Sequence, residues 1–228
     1  MNLCVIPARG GSKRIPKKNI RDFCGKPMIA YAIDLAKSSQ LFEHIVVSTD
    51  DYEIKQLAHK YGAEVPFERP SLLADDSTPT VPVIKHAITE LEHRGLSFKN
   101  VCCLYPSVPL ISAERIIEAF YKSLQKPEVF VMPIIAFCSP IERAFTLEQS
   151  GKVIPLNHQN ITLRTQDCKK TYHDAGQFYW GNKLLWGGSD ANIHANSFGL
   201  EISAWEAIDI DNEDDWLMAE KLYKARVI

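Results

Sequence analysis

Apolar runs of strand length alternate with amphipathic helical patterns along the first half of this 228-residue chain. The runs predicted as strands are Leu3–Pro7, His44–Thr49, Asn100–Tyr105 and Val129–Ile135. The patterns predicted as helices are Pro27–Ser38, Tyr52–Tyr61, Val81–Arg94 and Ala113–Leu124. Such alternation is typical of an α/β fold with a parallel sheet and helices on both faces. Because ligands bind outside the carboxyl ends of parallel strands, the loops after Pro7, Thr49 and Tyr105 are the first candidate sites.

The second half of the chain is less regular. No helical period is present between Cys138 and Gln177, and a closing helix is predicted over Asp211–Ala225. Asp211 or Asn212 is expected to cap that helix, because short polar side chains accept hydrogen bonds from the first free amides. No repeat, low-complexity tract or linker divides the chain. We therefore predict one domain over residues 1–228, with an insertion at about residues 138–177.

Composition and charge exclude several classes of protein. The formal net charge is −2, which offers no overall attraction to nucleic acid or to an anionic membrane surface. No run of about 18 apolar residues is present, and the N-terminus lacks the pattern of a signal peptide. The six cysteines have neither CxxC nor zinc-finger spacing, so reduced thiols are expected. We expect a cytoplasmic protein with no nucleic-acid partner and no membrane partner.

A basic, glycine-containing run, ARGGSKRIPKKN at Ala8–Asn19, follows the first predicted strand directly. Seven basic residues and one acid lie between Arg9 and Lys26. Adjacent Gly10 and Gly11 let the backbone approach a ligand and turn its amides inward, and the cations suit a triphosphate. The spacing matches neither a Walker loop nor a dinucleotide fingerprint. Phosphate binding is the leading interpretation, with a solvated basic loop and a nucleic-acid arm as alternatives.

Two aspartates near the C-terminus form a candidate metal site. Asp209 and Asp211 flank Ile210, and residues two apart on an extended segment point to the same side. Paired carboxylates of this kind suit Mg²⁺, which binds one or two carboxylates together with phosphate oxygens. The alternative is that Asp211 only caps the last helix and that Asp209 is solvated.

Two other acidic pairs are not predicted to be primary metal ligands. Asp50 and Asp51 follow a strand, where Asp51 is expected to cap the next helix and Asp50 to hydrogen-bond within the turn. Asp75 and Asp76 are expected in a polar loop before the third helix.

Four segments together resemble the CMP-acidic-sugar synthetases, a branch of the nucleotidyltransferases. The run Ala8–Asn19 is similar to the family's phosphate-binding signature, and Val46–Asp51, Tyr61–Pro70 and Ala207–Asp211 resemble its later motifs in the same order. The resemblance covers nearly the whole chain. It implies a Rossmann-like α/β nucleotidyltransferase fold with a mostly parallel twisted sheet, helices on both faces and a small dimerisation insertion, and therefore a homodimer.

The resemblance also implies a reaction. The anomeric hydroxyl of a nine-carbon acidic sugar would attack the α-phosphorus of CTP in line, with Mg²⁺ assisting and pyrophosphate leaving. The implied metal ligands are Asp209 and Asp211, and Arg9 and Lys18 join them as catalytic residues. The implied nucleotide-binding residues are Ala8, Arg9, Gly10, Gly11, Ser12, Lys18, Asn19, Arg69 and Thr80. A surface position for Arg69 and a helix-capping role for Thr80 are the alternatives.

Two departures from the sialic acid branch bear on the sugar. That branch carries glutamine at the start of the run that here reads YPSVP from Tyr105, and an arginine-proline-asparagine-glycine run where His173–Trp180 reads HDAGQFYW. The second segment is similar to the pseudaminic acid branch. A sugar carboxylate also favours an arginine partner. The predicted sugar-binding residues are Tyr105, Arg143, Arg164, His173 and Gln177.

Alternative functions remain open at this point. Within the same chemistry, the chain is alternatively a CMP-N-acetylneuraminate or CMP-legionaminate synthetase. A non-catalytic nucleotide-sugar binding module is a candidate from another class, although such a module would be expected to lose Lys18, Asp209 or Asp211, and all three are present. The catalytic hypothesis requires the basic run to face the two aspartates across a gap the size of a triphosphate.

Overall fold

The computed structural model describes residues 1–157 and 163–227 of the chain. The strands are β1 (Asn2–Pro7), β2 (Asp22–Phe23), β3 (Lys26–Pro27), β4 (His44–Ser48), β5 (Asn100–Leu104), β6 (Phe130–Ala136), β7 (Phe145–Leu147), β8 (Val153–Pro155), β9 (Tyr172–Asp174), β10 (Phe178–Asn182) and β11 (Ser197–Glu201). The α-helices are α1 (Met28–Ser39), α2 (Tyr52–Tyr61), α3 (Thr80–Glu92), α4 (Ala113–Gln125), α5 (Lys183–Gly187) and α6 (Glu213–Val227). Each helix and strand predicted from the sequence is present, with ends that shift by at most two residues.

A seven-stranded sheet runs through the described part of the chain in the order β11–β6–β10–β5–β1–β4, with β9 paired to β6. Strand β1 is parallel to both β4 and β5, and β11 is parallel to β6. Strand β10 is antiparallel to its two neighbours, β5 and β6. The mostly parallel sheet of an α/β fold, predicted from the sequence, is confirmed. The antiparallel insertion of β10 was not predicted.

Side chains of β1 alternate between two hydrophobic cores. Cys4 and Ile6 pack on the face covered by α1, α2 and α4, whereas Leu3 and Val5 pack on the face covered by α3 and α5. All four side chains are fully buried. Continuous burial is expected of a central strand that helices cover on both sides, and it explains why the run is apolar without alternation.

A third core joins the chain's two ends. Phe23, at the β2–β3 hairpin, packs edge-on against Trp216 of α6, with ring centroids 5.3 Å apart. Ile15 of the basic run and Ile210 of the acidic segment are both buried in the same cluster. This small core therefore places the basic run beside the C-terminal aspartates.

The predicted insertion contains a two-stranded hairpin, β7–β8, and returns to the main sheet at β9. Its residues 158–162 lie outside the described part of the chain. Several of its large apolar side chains are exposed, namely Ile141, Phe145, Leu147, Val153 and Leu156. Among the described residues, no helix has both the length and the apolarity that a membrane span requires.

Candidate active site

A cleft of about 640 Å³ opens at the carboxyl ends of β1 and β5. One wall is the basic run, which contributes Arg9, Ser12, Lys13, Arg14, Lys18 and Asn19. The opposite wall contains Gly176, Asp209 and Asp211, and the floor contains Arg69, Thr80, Tyr105 and Ser107. The loop before α3 closes a third side with Leu73, Asp75, Asp76 and Thr78. The cleft thus lies beyond two of the three strand ends that the sequence indicated.

The glycine turn is held tightly against the loop after β4. The Gly10 amide donates to Asp50 Oδ1 at 3.0 Å, and the Asp51 carboxylate caps α2 by accepting from the Ile54 amide at 2.9 Å. A Cβ added at Gly10 would lie 2.6 Å from Asp51 Oδ2, whereas one added at Gly11 would have nothing within 4 Å. Only Gly10 is therefore required by close packing. The predicted capping role of Asp51 is confirmed, whereas Asp50, predicted to hydrogen-bond within its own turn, accepts instead from the glycine turn after β1.

Asn19 closes the far end of the basic run. Its Nδ2 donates to the Arg9 carbonyl at 3.0 Å, which ties the end of the run to its beginning. Its Oδ1 is buried and has no hydrogen-bond partner among the described residues. Ala8, the first residue of the run, is fully buried and donates its amide to the Ser48 carbonyl at 3.0 Å. Ala8 and Gly10 therefore shape the turn from behind, while Asn19 reaches the cleft.

Three cations of the basic run form ion pairs with aspartates that line the cleft. Arg9 and Lys13 form ion pairs with Asp76 at 2.7 and 2.5 Å. Arg14 pairs with Asp211 at 2.7 Å. The roles of Lys13, Arg14 and Asp76 were not predicted from the sequence, because Asp76 lies in a loop more than 60 positions away and carries no motif.

The acidic wall is formed by Asp209 and Asp211. Asn212, not Asp211, caps α6, because Asn212 Oδ1 accepts from the amides of Asp214 and Asp215 at 2.9 and 3.0 Å. The Asp211 carboxylate is thereby turned toward Arg14 and the cleft. The alternative in which Asp211 only caps the helix is wrong.

Burial and neighbouring charges shift the pKa values of Asp209 and Lys18 in this part of the cleft. Surrounding protein and the nearby Asp211 carboxylate raise the pKa of Asp209, although its side chain faces the open cleft. Lys18 donates from Nζ to the Ile210 carbonyl at 2.6 Å. Burial lowers the pKa of Lys18, and the two aspartates oppose that shift. The lysine cation thus lies between the basic run and the paired carboxylates.

The floor of the cleft carries a buried arginine. Arg69 is 4% exposed and donates from Nε to Ser48 Oγ at 3.1 Å and from Nη2 to the Ser48 carbonyl. Burial lowers the pKa of Arg69 to about 10, so it remains a cation at neutral pH. The alternative of a surface position is wrong for this residue.

Thr80 and Tyr105 form a hydrogen-bonded pair beside Arg69. Their hydroxyl oxygens are 2.6 Å apart, and burial raises the pKa of Tyr105. Thr80 is the first residue of α3 and Pro79 precedes it at the cap position, so the helix-capping alternative for Thr80 is wrong. Ser107, which the sequence did not single out, also lines the floor. Its Oγ is buried without a hydrogen-bond partner among the described residues.

The other predicted sugar-binding residues do not line this cleft. Gln177 is buried, and its Nε2 donates to the carbonyls of Ala175 and Ile208 at 2.8 and 3.2 Å. His173 is exposed, with Nδ1 2.8 Å from the Asp174 carbonyl. Arg143 and Arg164 are exposed on the insertion, where Arg143 contacts Thr165 at 3.4 Å.

A mostly parallel sheet with a cationic glycine turn facing paired carboxylates across its carboxyl edge defines the nucleotidyltransferase class. A solved structure of the CMP:2-keto-3-deoxy-manno-octonic acid synthetase complexed with CTP has the same fold, with a TM-score of 0.72 at 17% identity. The alignment covers 100% of this chain and 99% of that one. The chain belongs to the cytidylyltransferase family, whose model matches residues 3–202.

Relatives within the family share a substantial part of the sequence. The pseudaminic acid cytidylyltransferase of Campylobacter jejuni subsp. jejuni serotype O:2 is 41% identical over 223 residues, covering 98% of this chain and 96% of the relative. The CMP-N,N'-diacetyllegionaminic acid synthase of Legionella pneumophila is 33% identical, covering 96% of this chain and 95% of the relative. The resemblance inferred from the sequence motifs is thereby confirmed.

Proposed function

We propose that this chain transfers CMP from CTP to the anomeric hydroxyl of pseudaminic acid and releases pyrophosphate. The observation that carries the proposal is the pairing of a cationic glycine turn with two carboxylates on opposite walls of one cleft. The 41% identity to a pseudaminic acid cytidylyltransferase over nearly the full chain supports the choice of sugar. A non-catalytic binding module would not require Lys18, Asp209 and Asp211 together, and all three line the cleft.

The basic wall suits a triphosphate. Arg9, Ser12, Lys13 and Lys18 line one side of the cleft, and several cations are needed to balance the phosphate charge. Charge accumulates on the departing pyrophosphate in the transition state, so fixed cations there lower the barrier. The ion pairs of Arg9 and Lys13 with Asp76 must exchange for phosphate oxygens when the nucleotide binds.

Two buried polar atoms in the cleft support binding of the nucleotide and the sugar. Asn19 Oδ1 and Ser107 Oγ have no hydrogen-bond partner among the described residues, and both residues line the cleft. Buried polar atoms are rarely left unpaired, so each is expected to meet a ligand hydroxyl, a ligand amide or an ordered water. Arg69 and Thr80 lie on the same floor and would hold the nucleotide, while Tyr105, hydrogen-bonded to Thr80, would face the sugar.

Asp209 and Asp211 fit a Mg²⁺ ion. They supply two hard oxygen donors on one wall, and no group of three or more metal-ligating side chains occurs among residues 1–157 and 163–227. That donor set matches an ion that keeps its other positions for phosphate oxygens and water. Bound there, Mg²⁺ would supply Lewis-acid polarisation of the α-phosphate. A cation there would also relieve the repulsion between the two carboxylates, which adds to burial in raising the pKa of Asp209.

A legionaminic acid is the second candidate sugar. The relative that acts on it is 33% identical over 96% of this chain, and an N-acylneuraminate cytidylyltransferase of Streptococcus agalactiae is 27% identical over 94%. Tyr105 distinguishes this chain, because its ring and hydroxyl occupy the floor where the sialic acid branch carries glutamine. A less polar pocket suits pseudaminic acid better than N-acetylneuraminic acid, because pseudaminic acid lacks the 9-hydroxyl and carries two N-acyl groups. N,N'-diacetyllegionaminic acid shares both features, so the choice between these two sugars rests on the 41% against 33% identity of the relatives.

The test is pyrophosphate release from CTP and Mg²⁺ with pseudaminic, legionaminic and N-acetylneuraminic acids in parallel. We expect the highest kcat/KM with pseudaminic acid, complete loss with EDTA, and recovery when excess Mg²⁺ is added. The Asp211→Asn variant serves as the catalytically inactive control. Preference for either of the other two sugars would overturn the choice of substrate, and turnover in EDTA would overturn the metal role.

We also propose a homodimer built on the insertion. The exposed fractions of Phe145, Leu147, Val153 and Leu156 are 55, 73, 59 and 63%, which places an apolar surface on the β7–β8 hairpin and its exit. A second copy of the chain would cover that surface. Arg143 and Arg164 lie on the same segment and outside their own chain's cleft, which suits a role in the partner's cleft.

Mixed dimers test that arrangement. Arg164→Ala and Asp211→Asn are each expected to lose activity when homodimeric. After unfolding and refolding as an equal mixture, about a quarter of the wild-type activity should return, because each hybrid dimer then holds one complete site. No recovery, with a dimer shown by light scattering, would place Arg164 in its own chain's site, and an active Arg164→Ala homodimer would place it outside both sites. A monomeric wild-type protein would overturn the homodimer.

The six free cysteines support a cytoplasmic location, where thiols stay reduced.

A further inference from the structure

We propose that Asp174 is a positioning residue that orders the sugar side of the cleft, an inference that rests on the proposed function. Asp174 ends strand β9 and does not line the cleft. Its side chain is 20% exposed and accepts three hydrogen bonds. Its Oδ1 accepts from the Gly176 amide at 2.8 Å, and its Oδ2 lies 2.6 Å from the Tyr179 hydroxyl and 2.9 Å from His194 Nε2.

The first route from Asp174 leads to the acidic wall. Gly176 has a φ of +63°, and a Cβ at this position would lie 3.0 Å from Asp209 Cγ. The backbone of Gly176 is therefore packed close to the Asp209 carboxylate, in a left-handed conformation that glycine adopts without strain. The hydrogen bond from the Gly176 amide to Asp174 holds this turn in place. Two residues on, Gln177 Nε2 donates to the Ile208 carbonyl at 3.2 Å and attaches the turn to the acidic segment.

The second route leads to the floor of the cleft. Tyr179 donates to Asp174, and its ring packs edge-on against Tyr105, with centroids 5.6 Å apart at 88°. Tyr105 in turn shares a hydrogen bond with Thr80. The Tyr105 amide also donates to the Gln177 carbonyl at 2.9 Å, so the turn after Asp174 fixes the Tyr105 backbone as well.

Both routes end at groups on the side of the cleft away from the basic run. Asp174 makes no hydrogen bond or ion pair with Arg9, Lys13 or Lys18 within the described structure. Loss of its side chain should therefore disturb Asp209 and Tyr105 while it leaves the phosphate-binding wall in place. The expected result is a defect that falls on the sugar and much less on CTP.

The experiment compares Asp174→Ala, Asp174→Asn and Tyr179→Phe, with Asn182→Ala as the matched control. Asn182 lies at the opposite end of β10, where its side chain accepts from the Leu185 amide at 3.0 Å and donates to the Pro127 carbonyl at 2.6 Å. Its loss removes two hydrogen bonds from the same strand without reaching the cleft. Steady-state KM values for CTP and for the sugar are measured for each variant, together with thermal unfolding.

We expect Asp174→Ala to raise the KM for the sugar about tenfold or more, with the KM for CTP within about threefold of wild type. Asp174→Asn should restore most of the loss, because an amide oxygen still accepts from Gly176 and the amide nitrogen donates to Tyr179. Tyr179→Phe should have a smaller effect and add nothing to Asp174→Ala, since both act on one network. Asn182→Ala should lower the thermal stability and leave both KM values unchanged.

Hydrogen exchange at the Gly176 amide gives a readout that needs no substrate. Protection should be lost in Asp174→Ala and kept in Asp174→Asn. Equal rises in both KM values, or an Asn variant as defective as the Ala variant, would overturn the positioning role. Failure of Asp174→Ala to fold leaves the decision to Asp174→Asn and Tyr179→Phe. Failure of the wild type to turn over any of the three sugars would overturn the proposed function instead, and amide protection would then decide the role of Asp174.

Discussion

Lys18 and Ile210, which are 192 positions apart in the chain, are joined by a hydrogen bond of 2.6 Å from Nζ to the backbone carbonyl. The bond places the lysine cation against the peptide that separates Asp209 from Asp211. It meets the spatial requirement set by the sequence, that the basic run face the paired aspartates across one cleft. The buried Ile15 and Ile210 of the third core hold the two segments in this relationship.

Neutralising Asp209 should separate activity from stability. Asp209→Asn is expected to lower turnover about 100-fold or more, because a carboxylate ligand for the cation is lost. The fold raises the pKa of Asp209, so the charged form costs stability at neutral pH, and the variant should melt at the same or a higher temperature. Pyrophosphate release and calorimetry measure the two effects. Turnover within about threefold of wild type would remove the catalytic role.

Two adjacent glycines provide a matched pair of variants. Gly10→Ala should raise the KM for CTP and cost about 1 kcal/mol of unfolding free energy, because the new Cβ meets the Asp51 side chain that caps α2. Gly11→Ala should have little effect on stability, since its Cβ has open space. Urea denaturation and CTP titration at constant sugar compare the two. Equal behaviour of the two variants would contradict the close contact at Gly10.

The hydroxyl pair on the cleft floor should behave as a unit. Tyr105→Phe and Thr80→Val each leave one hydroxyl without its partner, so each should lower kcat/KM about fivefold. The double variant should be little worse than either single one, with a coupling of about 1 kcal/mol. Full additivity of the kcat/KM losses would show that the two hydroxyls act separately.

A salt bridge between Arg115 of α4 and Glu206 should make stability sensitive to acid. Glu206 accepts from Arg115 Nε and Nη2 at 2.7 and 3.1 Å and from the Ser203 amide at 2.9 Å. The Arg115 bond lowers the pKa of Glu206, so this stabilisation is present above the ordinary pKa near 4.5 and is lost as pH falls through the lower folded-state value.

Glu206→Gln should therefore cost about 1 kcal/mol at pH 7 and progressively less below about pH 4.5. Glu118→Gln is the control, because Glu118 contacts the same arginine at 2.8 Å but its side chain is 42% exposed. The control should lose less at pH 7. Urea denaturation between pH 3 and pH 7 measures both. A pH-independent difference between wild type and Glu206→Gln would contradict the linkage.

The sheet was largely predictable because a strand buried on both faces has an unbroken apolar sequence. Leu3, Cys4, Val5 and Ile6 form an unbroken apolar run, which is the pattern that a central parallel strand requires. The following glycine turn was equally visible, since Gly10 and the cations around it are contiguous in the sequence. The positions of Arg69 and Thr80 on the cleft floor also follow their predicted assignment to the nucleotide site, although those roles remain predictions.

Local patterns carried no information about which distant segments meet. The ion pairs of Asp76 with Arg9 and Lys13, and the buried bonds of Gln177, depend on loops that no periodicity places. Gln177 was predicted to contact sugar, and that role stays a prediction. Its Nε2 donates to the Ile208 carbonyl, and its Oε1 is buried without a hydrogen-bond partner among the described residues.

The sequence by itself determined an α/β chain whose first strand delivers a cationic turn and whose last helix follows two aspartates. Only the tertiary structure decided that β10 runs antiparallel between β5 and β6, and this places the turn from Asp174 to Gln177 beside Asp209. The physical reason is the distance along the chain over which each interaction acts. Burial and backbone freedom act on neighbouring residues and leave a readable pattern, whereas the pairing of β10 is set by competition among distant strands for the same sheet edge.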